Sequence, residues 1–232
     1  MLSINQCYLN FVREILTKGK ETYKDSNHHL KESLGNYYHI DDPLNLKYKA
    51  KYQHMTAENM LNEIKSGRYD IEGCPIKSDA LLEYVKSFEI SSDQGFVYTY
   101  PNRILEHFGV NQFNVMKERI LNALGSNRAV AITYDPKLDY EREDIPCLQI
   151  LQAFVRDGDL TIHCFFRSND IFGAFYSNMF FIAYIGLKLK DELNKELLNE
   201  NLNFGGIHYY SSSGHIYNTD IKASKKLIAN NF

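Results

Sequence analysis

A thiol beside a guanidinium is the first chemistry this sequence offers. The stretch DIPCLQILQAFVRDGDLTIHCFFRSND, residues 144–170, carries two runs suited to strands around Asp157-Gly158. That dipeptide is a strong two-residue turn signal, because a type I′ turn needs positive φ at both central positions and Asp-Gly tolerates it. A strict hairpin through this turn sets Cys147 opposite Ser168 and Leu148 opposite Arg167. One bulge would shift the register by a residue, but Cys147, Arg167 and Ser168 would still share one end of the sheet. A nearby guanidinium favours thiolate over thiol, and the thiolate is the nucleophile. The ordinary fate of a cysteine is to be a small buried hydrophobe, and Cys7, Cys74 and Cys164 keep that reading.

The elements that must position these groups belong to an ordinary globular chain. At 232 residues, 44% hydrophobic and 24% charged, it can bury a sizeable core, and a single domain over 1–232 is expected. A net charge of −3 and a pI near 6.2 argue against a sequence-independent nucleic-acid binder, so any phosphate must be gripped locally. The four cysteines show no C-x-x-C spacing, and the N-terminal MLSINQCYLNFVREILTK lacks the apolar core of a signal peptide. Reduced thiols in a cytoplasm are the expectation. The apolar run IFGAFYSNMFFIAYIGL, 171–187, imitates a membrane span, yet it is short for a bilayer and carries Asn178 near its middle. A helix apolar on every side is more simply the buried centre of the protein, and no membrane partner is expected.

Periodicity predicts helices over 3–18, 56–65, 79–88, 112–124 and 173–198, and a terminal helix capped near Thr219 or Asp220. Strands are predicted over 36–50, broken at Asp42-Pro43, and over 128–134, 147–156, 159–167 and 205–217. Strands concentrated in the C-terminal half, with helices before and between them, give an α+β class.

Around Cys147 the order of residues is specific. Pro146-Cys147 is followed by Gln152, then Arg167-Ser168-Asn169-Asp170, then Asn178, and later His215-Ile216-Tyr217. This resembles the thymidylate synthase family over about residues 96–220, and GFVYTYPNR resembles the family loop that carries a catalytic tyrosine, here Tyr98. NRAVAITYDP is similar to the short archaeal-type members. The resemblance implies a three-layer α+β fold with a long buried central helix, and a homodimer formed through a mixed sheet. It implies an enzyme that converts dUMP to dTMP by reductive methylation, with the one-carbon unit and hydride from 5,10-methylene-tetrahydrofolate or methylene-tetrahydromethanopterin and no metal.

The residue types suit those roles. Cys147 is the soft nucleophile for C6 of the pyrimidine, and Arg167 and Ser168 can hold a 5′-phosphate. Asn178 can donate to uracil O4 and accept from N3–H. His215 and Tyr217, two apart on a strand, share a face and can meet a ribose hydroxyl. Gln152 and Asp170 complete the substrate-binding pattern. The resemblance also implies arginines reaching the phosphate from the other subunit, a role for Arg128, and a glutamate organising water and proton transfer, with Glu58 first and Glu63 second. Asn127 stands where longer members have a further arginine. No arginine matches in KDSNHHLKES, where Lys24, Lys31 or the His28-His29 pair could substitute. Adjacent His28 and His29 do not converge on one ion. The sequence runs to Phe232 soon after Tyr217, so the long segment that closes over the folate in larger members is expected to have no counterpart. Two other readings stay open: a pyrimidine-nucleotide 5-hydroxymethylase acting on dCMP, CMP or dUMP, and a non-catalytic nucleotide-binding relative.

Overall fold

The computed structural model describes residues 1–23, 29–91, 95–198 and 201–232. The chain opens with α1 (Ile4–Lys18), whose first turn is closed by reciprocal bonds between Ser3 and Gln6, and which buries Cys7, Phe11 and Ile15. It continues through β1 (Lys20–Tyr23), β2 (His29–Ile40), α2 (Ala57–Lys65), α3 (Ser78–Lys86), α4 (Tyr100–Leu105), α5 (Gln112–Asn122) and β3 (Val130–Ile132). The second half contains β4 (Leu148–Arg156), β5 (Asp159–Phe166), β6 (Asn169–Asp170), α6 (Phe175–Glu196), β7 (Asn203–Tyr217) and α7 (Ile221–Asn231). The strands form one mixed sheet in the order β1-β2-β7-β5-β4-β3, with β6 beside β7. β5 and β6 run parallel to β7, and the other pairings are antiparallel. The α+β expectation therefore holds.

The first long strand departs from expectation. β2 covers His29–Ile40, earlier than the 36–50 read from the sequence. Beyond it Asp42 is buried and accepts bonds from the Leu46 and Lys47 N–H groups and from the Tyr52 hydroxyl, while Asn45 and Lys47 adopt positive φ. This carboxylate-centred turn takes the chain off the sheet. α4 was not anticipated, because six residues are too few for a periodic pattern; Thr99 caps it and Pro101 occupies its first turn.

The central helix α6 is apolar all round because it is enclosed. α1, α2, α3 and α5 pack around it, and β5 and β7 lie beneath. Gly186 permits the close approach to the sheet, since a Cβ there would run into the Phe204 ring and Ile162. Lys190, 1% exposed, directs its ammonium to the carbonyls of Met55 at 2.6 Å and Tyr52 at 3.2 Å. No helix among the described residues is long and apolar enough to cross a membrane.

The hairpin forms at Asp157 and Gly158, with φ of 52° and 79°. Its register is the strict one from Arg156↔Asp159 to Ile150↔Phe165, after which a bulge at Gln149 shifts it to Leu148↔Phe166. Arg167 N–H then donates to the Cys147 carbonyl at 2.9 Å, so Cys147 lies opposite Arg167 rather than Ser168.

Alternation divides the sheet into two faces. Leu151, Ala153 and Val155 are buried in the core, while Ile150, Gln152 and Phe154 turn to the opposite face. Cross-strand neighbours add Ile132, Phe165, Tyr210 and Tyr37 to that second face, all partly exposed. His39, His208 and His163 stack across it with ring centroids 4.1 Å apart. His208 is pushed down to about 4 by burial first and then by the charges of His163 and His39.

Gly186→Ala is expected to destabilise the protein despite the better helix propensity of alanine, because the added methyl has no space against Phe204. Overpacking of this kind costs about 1–3 kcal/mol against about 1 kcal/mol gained in propensity. Thermal unfolding checks this: an unchanged or raised Tm would show that helix and sheet can separate at no cost.

Candidate active site

A cleft of about 1420 Å³ opens where β4, β5 and β7 end, next to β6 and the start of α6. Cys147, Arg167, Ser168, Asp170, Asn178 and His215 line it, together with Tyr217 and Tyr98. Residues far apart in sequence meet here because the hairpin, the parallel crossover through α6 and the last strand deliver them to one sheet end.

Cys147 is half-buried, and Arg167 Nη2 lies 3.7 Å from its sulfur. The same guanidinium donates from Nη2 to the Ile145 carbonyl at 2.7 Å, from Nε to the Pro146 carbonyl at 3.1 Å, and from Nη1 to Ser168 Oγ at 3.2 Å. Ser168 Oγ is itself 3.8 Å from the sulfur. Tyr98 donates to the Ile145 carbonyl at 3.3 Å, so the turn before the thiol is held from two sides. The other three cysteines are buried, and burial pushes their thiols up, away from the reactive thiolate. Only Cys147 among the four faces the cleft beside a cation.

Asn178 stands in the first turn of α6 and is 5% exposed. Its Oδ1 accepts from the Tyr84 hydroxyl at 2.7 Å, and its Nδ2 donates to Asn169 Oδ1 at 3.2 Å. Asp170 Oδ1 accepts from Gly173 N–H at 3.0 Å, and a Cβ on Gly173 would collide with this carboxylate. Burial raises the Asp170 pKa, and the charge of Asp220 pushes the same way. His215 and Tyr217 end β7 side by side, their rings edge to face at 5.1 Å. Tyr84, Tyr98 and Tyr100 form the facing wall, and burial holds all three phenols protonated. Tyr100 accepts from Leu148 N–H at 3.2 Å, which ties this wall to the residue after the thiol.

Gln152 and Glu58, expected at the site, are not in this cleft, and Arg128, expected to serve the other subunit's site, lies outside it as well. Gln152 lies on the opposite sheet face, where its amide donates to the Asn127 carbonyl at 2.8 Å. Arg128 is exposed just before β3, which lies on the far side of β4 from β5. Glu58 is exposed in the first turn of α2, and Glu63 bonds Arg68 and the Tyr69 hydroxyl instead. Among the carboxylates that do reach the cleft is Glu83, which sequence reasoning missed. Ala80, Glu83, Tyr84 and Ser87 line the cleft at the spacing of one helical face of α3, opposite to buried Leu81 and Val85. That periodicity was the available signal. Of the phosphate-loop candidates, Lys24 and His28 lie outside the described residues, Lys31 donates to the Leu16 carbonyl at 2.6 Å, and His29 packs on Tyr23.

Charge in the cleft is unbalanced. Its described lining includes the carboxylates of Glu32, Asp79, Glu83, Glu143, Asp144 and Asp170 against the cations of Lys86 and Arg167. Apolar side chains gather near Tyr98, with Phe96, Val97 and Ile90 all exposed at the rim. Among the described residues no group of three or more His, Cys, Asp or Glu could hold a metal ion.

No family model matches the chain. Curated relatives do. A protein of Methanothermobacter marburgensis is 31% identical over 98% of this chain and 96% of its own length. One of Methanothermobacter thermautotrophicus is 30% identical over 94% and 91%, and one of Methanocaldococcus jannaschii is 32% identical over 63% and 67%. Each bears the name "Putative thymidylate synthase".

The buried Asp170 carboxyl makes stability depend on pH. Its folded pKa lies above the unfolded value near 4, so its contribution is full below that value and is lost as pH rises through the folded one. Asp170→Asn keeps the oxygen that accepts from Gly173 and removes the charge. At pH 7 the variant should melt above the parent, and the gap should close as the pH is brought down to about 4. A gap that stays constant with pH would assign the effect to packing.

Proposed function

Since the chain belongs to the thymidylate synthase family, we propose that it is a methyltransferase that makes dTMP from dUMP by reductive methylation, with residues 1–232 acting as one catalytic domain. The observation that carries this reading is the thiol of Cys147 held 3.7 Å from Arg167 in the same cleft as the carboxamide of Asn178. A nucleophile and a base reader lining one cavity suit a pyrimidine that must be attacked at C6 while its far edge is gripped.

The chain's own groups divide the chemistry. The Cys147 sulfur forms a bond to C6 of the uracil, and the displaced π pair makes C5 nucleophilic; the same S–C6 bond breaks when the product leaves. A reduced pterin, methylene-tetrahydrofolate or methylene-tetrahydromethanopterin, supplies the one-carbon unit and the hydride when bound. The apolar rim of Ile90, Phe96, Val97 and Tyr98 suits the largely apolar ring faces of a reduced pterin. Tyr98, kept as the phenol by burial first and then by nearby Cys147 and Asp144, can hold or pass a proton at C5. Arg167 and Ser168 suit the 5′-phosphate, His215 and Tyr217 the ribose, and Asp170 supports the site from β6. We assign the water-organising carboxylate to Glu83 in place of Glu58, because Glu83 faces the cleft and Glu58 does not.

A second copy of the chain completes the site. A cleft with six carboxylates and two cations among its described lining residues is a poor home for a dianionic phosphate unless more cations arrive. Arg128, outside its own cleft, is available to a partner's. The open sheet face fits the interface: Ile132, Ile150, Phe165 and Tyr37 are each at least 40% exposed there, and the depressed pKa of His208 keeps its ring neutral at pH 7. Gln152 lies on that face.

Two experiments test the reading. Purified protein given dUMP and each pterin carrier should yield dTMP, and 5-fluoro-dUMP with the carrier should leave a covalent adduct on Cys147 detected by mass. Cys147→Ser should lose the adduct and at least about a thousandfold in kcat, on the order of 4 kcal/mol of barrier. Activity within about tenfold of the parent would end the covalent mechanism, and a 5-hydroxymethyl product would replace hydride by water as the last reactant. Arg128→Ala should raise the KM for nucleotide. Mixed with Cys147→Ser subunits it should regain part of the activity, since one hybrid site is then intact; verified heterodimers without recovery would exclude a shared site.

A further inference from the structure

The carboxamide of Asn178 offers two N–H donors and two acceptor lone pairs. The protein takes one of each. Tyr84 donates to Oδ1 at 2.7 Å, and Nδ2 donates to Asn169 Oδ1 at 3.2 Å. One N–H and one lone pair are left for the cleft, which Asn178, Tyr84 and Asn169 all line. Asn169 is 1% exposed, and its own Nδ2 donates onward to the hydroxyl of buried Tyr209 at 3.3 Å. Four side chains from α3, α6, β6 and β7 thus form one directed hydrogen-bond chain through the protein interior.

Direction matters because a carboxamide turned by 180° exchanges its oxygen and nitrogen. Unturned, the residual donor and acceptor match an imide edge, a carbonyl next to a ring N–H, as in uracil. Turned, they match the amino group and bare ring nitrogen of cytosine. Turning Asn178 alone would also set its oxygen against Asn169 Oδ1, leaving two buried acceptors facing each other without a donor. Asn169 would have to turn with it, and the Tyr209 hydroxyl would have to become a donor and the Tyr84 hydroxyl an acceptor, so that all four groups must reverse together.

On the reading that Asn178 contacts the base, we infer that Tyr84 and Asn169 are positioning residues that fix the orientation of the Asn178 carboxamide and so make the cleft select an imide-edged pyrimidine nucleotide over its amino-substituted analogue. Neither residue needs to touch the substrate to set this preference. Asn178 provides the contact, and the buried chain decides which atom provides which half of it.

The test measures dissociation constants of dUMP and dCMP for the full-length parent, Tyr84→Phe and Asn169→Leu, with Tm as the control for folding. Tyr84→Phe removes the donor to Oδ1 with almost no change of shape, and Asn169→Leu removes the acceptor for Nδ2. In each variant the preference for dUMP should fall by about three- to tenfold, with dCMP gaining as dUMP loses. A merely structural role would weaken both nucleotides in parallel. A ratio within about twofold of the parent in folded Tyr84→Phe overturns the inference, and this variant decides alone if Asn169→Leu fails to fold. A parent that binds dUMP no better than dCMP would instead overturn the base-reading role of Asn178, a result visible before either variant is made.

Discussion

The site depends on one guanidinium. Arg167 spends its fork on two successive carbonyls, Ile145 and Pro146, and on Ser168, and these bonds fix the turn from which the Cys147 sulfur projects. A planar group with fixed N–H directions can do this; a lysine ammonium, a flexible point charge, could reach one carbonyl but not order three acceptors at once. The bulge at Gln149 is the other half of the arrangement, because it slides β4 by one residue and sets Cys147 directly across from Arg167. Without it the cysteine would face Ser168, and the side chains beyond would reverse faces.

Around that point the fold supplies rigidity from buried polar groups as well as from the core. Arg103 and Asp139, 1% and 0% exposed, pair at 2.7 Å beneath the Tyr98 wall, and Asp139 also accepts from the Asp135 N–H. His107 joins Asp135 at 2.7 Å, and Gln112 bonds the backbone of Arg103 and Ile132. A buried ion pair of this kind contributes little net stability compared with apolar replacements, but it fixes which loops can pack together. Here it ties the segment bearing Tyr98 and Tyr100 to the loop leading into Pro146-Cys147, so the tyrosine wall and the Cys147 thiol keep their spacing. The directed chain from Tyr84 through Asn178 and Asn169 to Tyr209 does the same for the start of α6.

The cleft and the open sheet face make complementary demands. Among its described lining residues the cleft has six carboxylates against Lys86 and Arg167, while the far face of the sheet shows apolar and neutral aromatic groups. Gln152 stands on that far face, and Arg128 is exposed just before the edge strand β3.

Much of this was legible in the residues. The Asp157-Gly158 turn, the all-round apolar character of α6 and the α+β class follow from local rules of φ, period and composition, and the hairpin alone set Cys147, Arg167 and Ser168 at one sheet end; Asp170, Asn178, His215 and Tyr217, which only the family resemblance joined to them, line the same cleft. What could not be read locally was decided by packing. The Asp42 turn ended β2 because a buried carboxylate found the N–H groups of Leu46 and Lys47, a competition that β-propensity does not see. The bulge at Gln149 is a choice made between two strands. Glu58 and Glu83 both sit on short amphipathic helices, and only the way α3 lies against α6 turns Glu83 toward the cleft. Tyr84 meets Asn178 across 94 positions of sequence. Periodicity states which residues share a face, but what that face meets is settled only when the hydrophobic core closes, because burial and hydrogen-bond satisfaction are properties of the whole packed chain.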